Sequence, residues 1–97
     1  MPYKIVLSAR AKRQVAKISA WYETEKRGLG IEFVQTLDRQ FADLVQTPSI
    51  FTKIRPQIRR AVLTRFPYSV FFTERDERIV VIAVIHHARN PERWPRY

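Results

Sequence analysis

The only two histidines of the chain, His86 and His87, stand directly after an unbroken apolar run, Ile79-Val80-Val81-Ile82-Ala83-Val84-Ile85. Imidazole is the side chain best suited to proton transfer near neutral pH. Beyond it come Arg89, Arg93, Trp94 and Tyr97, cations and aromatics that suit an anionic or planar partner. A second concentration of chemistry lies upstream. No Asp or Glu occurs from Leu44 to Thr73, yet Lys53, Arg55, Arg59, Arg60 and Arg65 all fall there. The whole chain carries 18 Lys and Arg against 9 Asp and Glu, a formal charge of +9. Such a charge draws a protein to polyanions: nucleic acid, ribosomes or an acidic protein. Arginine outnumbers lysine thirteen to five, and its planar fork fits phosphate and carboxylate.

Other chemistries are disfavoured by the same inventory. There is no cysteine, hence no thiolate nucleophile and no disulfide framework. The histidines are adjacent, without HxxxH or HExxH spacing, so neither a metal site nor a cofactor is expected. No apolar run approaches the roughly 18 residues of a membrane span, and no secretory pattern is visible, so no membrane role and a cytoplasmic location are expected. A chain of 97 residues reads as one domain, residues 1–97.

The elements that must position these groups follow from pattern. Tyr3 to Leu7 reads as a strand. Ser8 is a natural N-cap for a helix from Ala9 to about Glu25, in which Ala11, Val15, Ile18 and Tyr22 recur at helical spacing. Gly28-Leu29-Gly30 reads as a helix C-cap and tight turn. A second helix is expected from about Ile31 to Gln46, with Phe33, Leu37, Phe41, Leu44 and Val45 as its buried stripe and Pro48 as its stop. So short a link makes an αα-hairpin. Pro48 to Gln57 reads as a basic connection. Strands are expected over Ile58–Thr64, Tyr68–Thr73 and Ile79–Ile85, the last covered on both faces. The fold class is α+β, order β-α-α-β-β-β, with the helical hairpin packed on a small, mostly antiparallel sheet.

Several stretches resemble the RelE/ParE superfamily of bacterial toxins. They are Ala20-Trp21-Tyr22 followed by Gly28-Leu29-Gly30 and Phe33; Arg59-Arg60-Ala61-Val62-Leu63-Thr64-Arg65-Phe66-Pro67-Tyr68; Val80-Ile82-Ala83-Val84-Ile85-His86; and Arg89-x-Pro91-x-x-Trp94. The resemblance spans nearly the whole chain in the family's order. It implies the toxin of a type II toxin–antitoxin pair, with a cognate antitoxin as partner and a possible heterotetramer or larger complex. Two activities run in this superfamily. ParE-like members inhibit DNA gyrase and are not enzymes; RelE-like members are endoribonucleases that cut mRNA on the ribosome. A third outcome is a partner-binding protein that has lost toxicity.

For the nuclease, the resemblance implies a general base, a cation for the phosphorane charge and a general acid. Lys53, Arg65, and His86 or His87 are the candidates, with a base the weakest part. No carboxylate occurs between Asp43 and Glu74, where one RelE-like branch keeps its glutamate. The tail resembles the ParE-like branch better, so gyrase inhibition is the favoured reading. Arg55, Arg59, Arg60, Arg89, Arg93, Trp94 and Tyr97 are then candidates for contacting target or antitoxin. Each candidate also has an ordinary structural role. One histidine points inward if the strand continues, Arg59 and Arg60 face opposite ways, and Arg65 caps a turn through backbone carbonyls. Trp94 anchors the tail on the helices, and Trp21 and Tyr22 pack within the hairpin.

Overall fold

The computed structural model describes residues 3–88, 94 and 95. Its elements are β1 (Lys4–Leu7), α1 (Ala9–Glu25), α2 (Leu29–Gln46), a 3-10 turn (Pro48–Ile50), β2 (Thr52–Arg55), β3 (Ile58–Val62), β4 (Tyr68–Arg75) and β5 (Arg78–His86). The sheet order is β1-β5-β4-β3-β2. β1 runs parallel to β5, and every other pairing is antiparallel. The α+β class and the helical hairpin on one face are therefore as the sequence predicts.

One strand is additional. The segment expected to be a mere basic connection forms β2, paired to β3 with Lys53 opposite Arg59 and Thr52 opposite Arg60. Pro56 and Gln57 make the turn between them. An edge strand buries only one side of its backbone, so it can be short and polar and carry lysine.

Ser8 does cap α1, its hydroxyl accepting from the Ala11 amide at 3.0 Å. The glycines act differently from expectation. Gly28, at φ +86°, is the N-cap of α2, and Gly30 lies inside that helix. A Cβ on Gly30 would sit 2.5 Å from the Ser19 carbonyl oxygen of α1, so glycine here sets how closely the helices approach. The Glu23 carboxylate accepts from the Gly28 and Gly30 amides at 2.9 and 3.1 Å. It thereby supplies the orphan donors of α2's first turn with an anion, where the helix dipole favours one.

Between helices and sheet lies the larger core: Ala11, Phe33, Leu37, Leu44, Ala61, Leu63, Phe66, Val70, Phe72, Ile79, Val81 and Val84. A smaller cluster covers the opposite face: Ile58, Phe71, Ile82, Ala83 and Ile85, with Ile54, Val80 and Trp94 against it. β5 feeds both, which explains its unbroken apolar run. Its alternation is interrupted by a bulge, since Phe71 pairs with Ala83 but Phe72 with Val81, leaving Ile82 as the extra residue. The start of α1 covers this irregular edge. The Ser8 hydroxyl donates to the Ile82 carbonyl at 3.2 Å, and the Val84 amide donates to Gln14 Oε1 at 2.8 Å. Trp94 is thus not on the helices, as expected, but on the far face of the sheet beside Phe71, ring centroids 5.4 Å apart. The reason is that the helices already fill the near face, while Ile58, Phe71 and Ile82 need a cover.

Candidate functional site

Three of the sequence-nominated groups come to one end of the sheet. Tyr68 opens β4 opposite His86, and the loop of residues 63–67 that carries Arg65 joins β3 to β4 there. The His87 amide donates to the Pro67 carbonyl at 2.8 Å, which ties the end of β5 to that loop. β5 stops at His86, so the condition for an inward histidine is not met. His86 is half-buried and stands edge-on to the Tyr68 ring, centroids 5.2 Å apart. Its Nδ1 accepts from the Ala88 amide at 3.0 Å, which puts the proton of the neutral ring on Nε2. His87 is exposed, and its Nε2 donates to the Tyr68 carbonyl at 2.8 Å.

Arg65 does not cap the turn through carbonyls. Its Nη2 meets Glu32 Oε1 of α2 at 2.8 Å, and its guanidinium lies over the Phe66 ring at 5.3 Å. The hydrogen bond and charge of Arg65 lower the Glu32 pKa. Arg65 also sits at φ 74°, a left-handed conformation that costs a side-chain-bearing residue energy. Behind it, Tyr22, Phe33, Phe66 and Tyr68 form a continuous aromatic cluster, edge-to-face except for the tilted Tyr22–Phe33 pair, with centroid separations of 5.0–6.3 Å. Burial, then the neighbouring Tyr68, raises the Tyr22 pKa. Tyr22 thus packs between hairpin and sheet, whereas Trp21 touches it edge-on and remains 55% exposed.

Lys53 stands apart from this end. From strand spacing and rise, its backbone is about 20 Å from that of His86. Lys53 and Arg59 face each other across β2 and β3. Arg59 Nη1 donates to the carbonyls of Phe51 (2.7 Å) and Ser49 (3.3 Å), and its Nε is 3.8 Å from Glu74. Arg60 points to the opposite face, as alternation requires. Its Nε donates to Ser69 Oγ at 2.8 Å, and its guanidinium covers Trp94 at 4.8 Å. Arg55 reaches the Ile54 carbonyl at 3.3 Å. Arg89, Arg93 and Tyr97 lie outside the described residues.

The lysine, arginine and histidines nominated for a nuclease therefore do not converge. Arg65, His86 and His87 share an end, but Lys53 is a sheet's width away. No Asp or Glu other than the arginine-bound Glu32 is found hydrogen-bonded or ion-paired to any of them among the described residues. Among the described residues no cluster of His, Cys, Asp or Glu could hold a metal, and no helix is long and apolar enough to cross a membrane.

Sequence reasoning treated the helices as scaffold and missed a surface on them. An apolar groove of about 530 Å³ runs between α1 and α2, lined by Leu7, Val15, Ala16, Ala20, Ile31 and Val34, with Lys12 and Glu23 at its margins. Ile31 is 64% exposed, which a helix packed only against its own sheet would not require. The signal was present in the small residues Ala16 and Ala20, four apart on one face of α1, opposite Ile31 and Val34.

Comparison with known proteins fits this architecture. No curated protein matches the chain significantly. A solved structure from the chromosomal ParDE toxin–antitoxin system of P. aeruginosa is similar, with a TM-score of 0.73 and 19% identity over 87% of this chain and 95% of that one. At that identity the likeness concerns the fold. The family model described as the ParE toxin of the type II toxin–antitoxin system parDE matches residues 5–91. The two-helix hairpin, strands β2 to β5 and all of β1 but Lys4 lie within that match, and the chain belongs to the ParE toxin family of type II toxin–antitoxin systems.

Proposed function

We propose that this toxin acts by binding DNA gyrase in its complex with DNA, and that it performs no nucleic-acid cleavage of its own. The observation that carries the reading is the separation of Lys53 from Arg65 and the two histidines, which share one end of the sheet. A ribonucleolytic site needs base, cation and acid within hydrogen-bond reach of one phosphodiester. Here Lys53 lies about 20 Å from His86, Arg65 is occupied by Glu32, and His87 by the Tyr68 carbonyl. What remains is a binding protein with a charge of +9 and thirteen arginines, suited to a protein–DNA target.

Family membership implies an antitoxin partner. The apolar groove between α1 and α2 supports docking of an amphipathic antitoxin segment, since its walls are hydrophobic and its margins charged. Heterotetramers or larger assemblies would follow if the antitoxin itself dimerises. The deciding experiment adds purified toxin to gyrase and supercoiled plasmid. Loss of supercoiling, or accumulation of cleaved DNA, is expected, and both should disappear when antitoxin is added. Unchanged supercoiling at high molar excess, together with codon-specific mRNA ends on translating ribosomes, would replace this reading with the endonuclease. Unimpeded growth on induction without antitoxin would leave a non-toxic partner-binding protein.

A further inference from the structure

Lys53 and Arg59 form an arrangement that a free sheet does not favour. They are directly opposite on antiparallel strands, and like charges so placed repel. Both line a polar pocket of about 220 Å³ with Pro56, Gln57, Thr73 and Glu74. The β2–β3 turn forms one wall, and the end of β4 the other.

The charges in this pocket are incompletely balanced. Glu74 is the one acid lining it, and at 3.8 Å it holds Arg59 loosely. Glu74 also raises the Tyr3 pKa, first by hydrogen bonding and then by its charge. Arg59 Nη1 is spent on the Phe51 and Ser49 carbonyls, which orients the guanidinium. Lys53 makes no hydrogen bond or ion pair among the described residues. Two cations against one carboxylate leave a single positive charge unmatched, with an amide and a hydroxyl beside it as further hydrogen-bonding groups.

We propose that this pocket receives one carboxylate side chain of the antitoxin, held between the Lys53 ammonium and the Arg59 guanidinium. The inference rests on the antitoxin being the partner, and it names a second contact separate from the apolar groove on the helices. A recessed pocket favours a projecting Asp or Glu over a nucleic-acid backbone, whose phosphates lie on a convex rod and are reached by protruding cations. The incoming carboxylate would convert a repulsive cross-strand pair into an alternating array of charge, which a surface optimised only for the free toxin would not contain.

The test uses the full chain and the protein encoded beside it, with Lys53→Gln and Lys53→Arg. Calorimetric titration should show binding to Lys53→Gln about tenfold weaker, with a reduced dependence on salt, and Lys53→Arg should restore most of it. The melting temperature of free Lys53→Gln toxin should be equal to wild type or higher, because repulsion is relieved. Affinity for a short DNA duplex should not change. Equal antitoxin affinity for wild type and Lys53→Gln would overturn the proposal while leaving the partner intact. A parallel loss of duplex affinity would overturn it in favour of phosphate binding. A lower melting temperature in the free variant would assign Lys53 a structural role instead. No complex with wild-type toxin would remove the partner reading, and this proposal with it.

Discussion

Helices seal one face of the sheet; on the other, Trp94 packs against the apolar cluster. On the helix side, Phe33, Leu37 and Leu44 interlock with Val70, Phe72 and Val81, all buried. On the other side, Trp94 lies against Phe71 and Ile58, and Arg60 closes over the indole. The first arrangement is two regular elements held at a fixed distance by Gly30. The second is one aromatic ring with a cation stacked on it. The difference teaches where stability and adaptability sit: folding energy is concentrated under the helices, whereas the far face presents polar groups at its margin.

The strongest way to break this comparison is Phe33→Ala. Phe33 is fully buried and touches Tyr22, Phe66 and Tyr68. Urea unfolding should show a loss of about 3–5 kcal/mol. Gly30→Ala should cost about 1–3 kcal/mol, because the new methyl meets the Ser19 carbonyl rather than a flexible side chain. A variant as stable as wild type would show that the helix spacing is soft. Trp94→Ala should cost less than Phe33→Ala, about 2 kcal/mol, as Trp94 is only half-buried. Equal losses for the two would place the faces on the same footing.

The smallest effect concerns the tie between α2 and the β3–β4 loop. Arg65 depresses the Glu32 pKa in the folded state. Its contribution is therefore present above the ordinary carboxylate value and lost as pH falls through the lowered folded value. Glu32→Gln should flatten the acid limb of the stability curve, with little change near neutrality, because the pair is exposed. An unaltered acid limb would show that the pair does not persist in solution.

Much of the fold was legible because periodicity and punctuation agreed. The Ser8 cap, the stripe of Phe33, Leu37 and Leu44, and the apolar run of β5 each state their role locally. β2 was not legible: Thr52-Lys53-Ile54-Arg55 is short, polar and set between prolines, and only pairing with β3 makes it a strand. The bulge at Ile82 was hidden by the uniformity of the run that contains it. At the candidate site, alternation separated Arg59 from Arg60 correctly. Nothing local could reveal that Arg65 meets Glu32, 33 residues away in sequence, or that Trp94 crosses to the far face. Those placements depend on which surfaces the helices leave uncovered.

The pairing of β1 with β5 has a consequence for biosynthesis. Lys4 to Leu7 find their sheet neighbour in Arg78 to Val81, so everything between β1 and β5 must be made before β1 has a partner. Contacts this distant in sequence slow folding. They also keep β1 out of the sheet until β5 is present, because β5 is the strand that joins β1 to β4. The five-stranded sheet is thus complete only after β5 has been made, and nascent chains arrested at increasing lengths would read the onset directly by protease resistance.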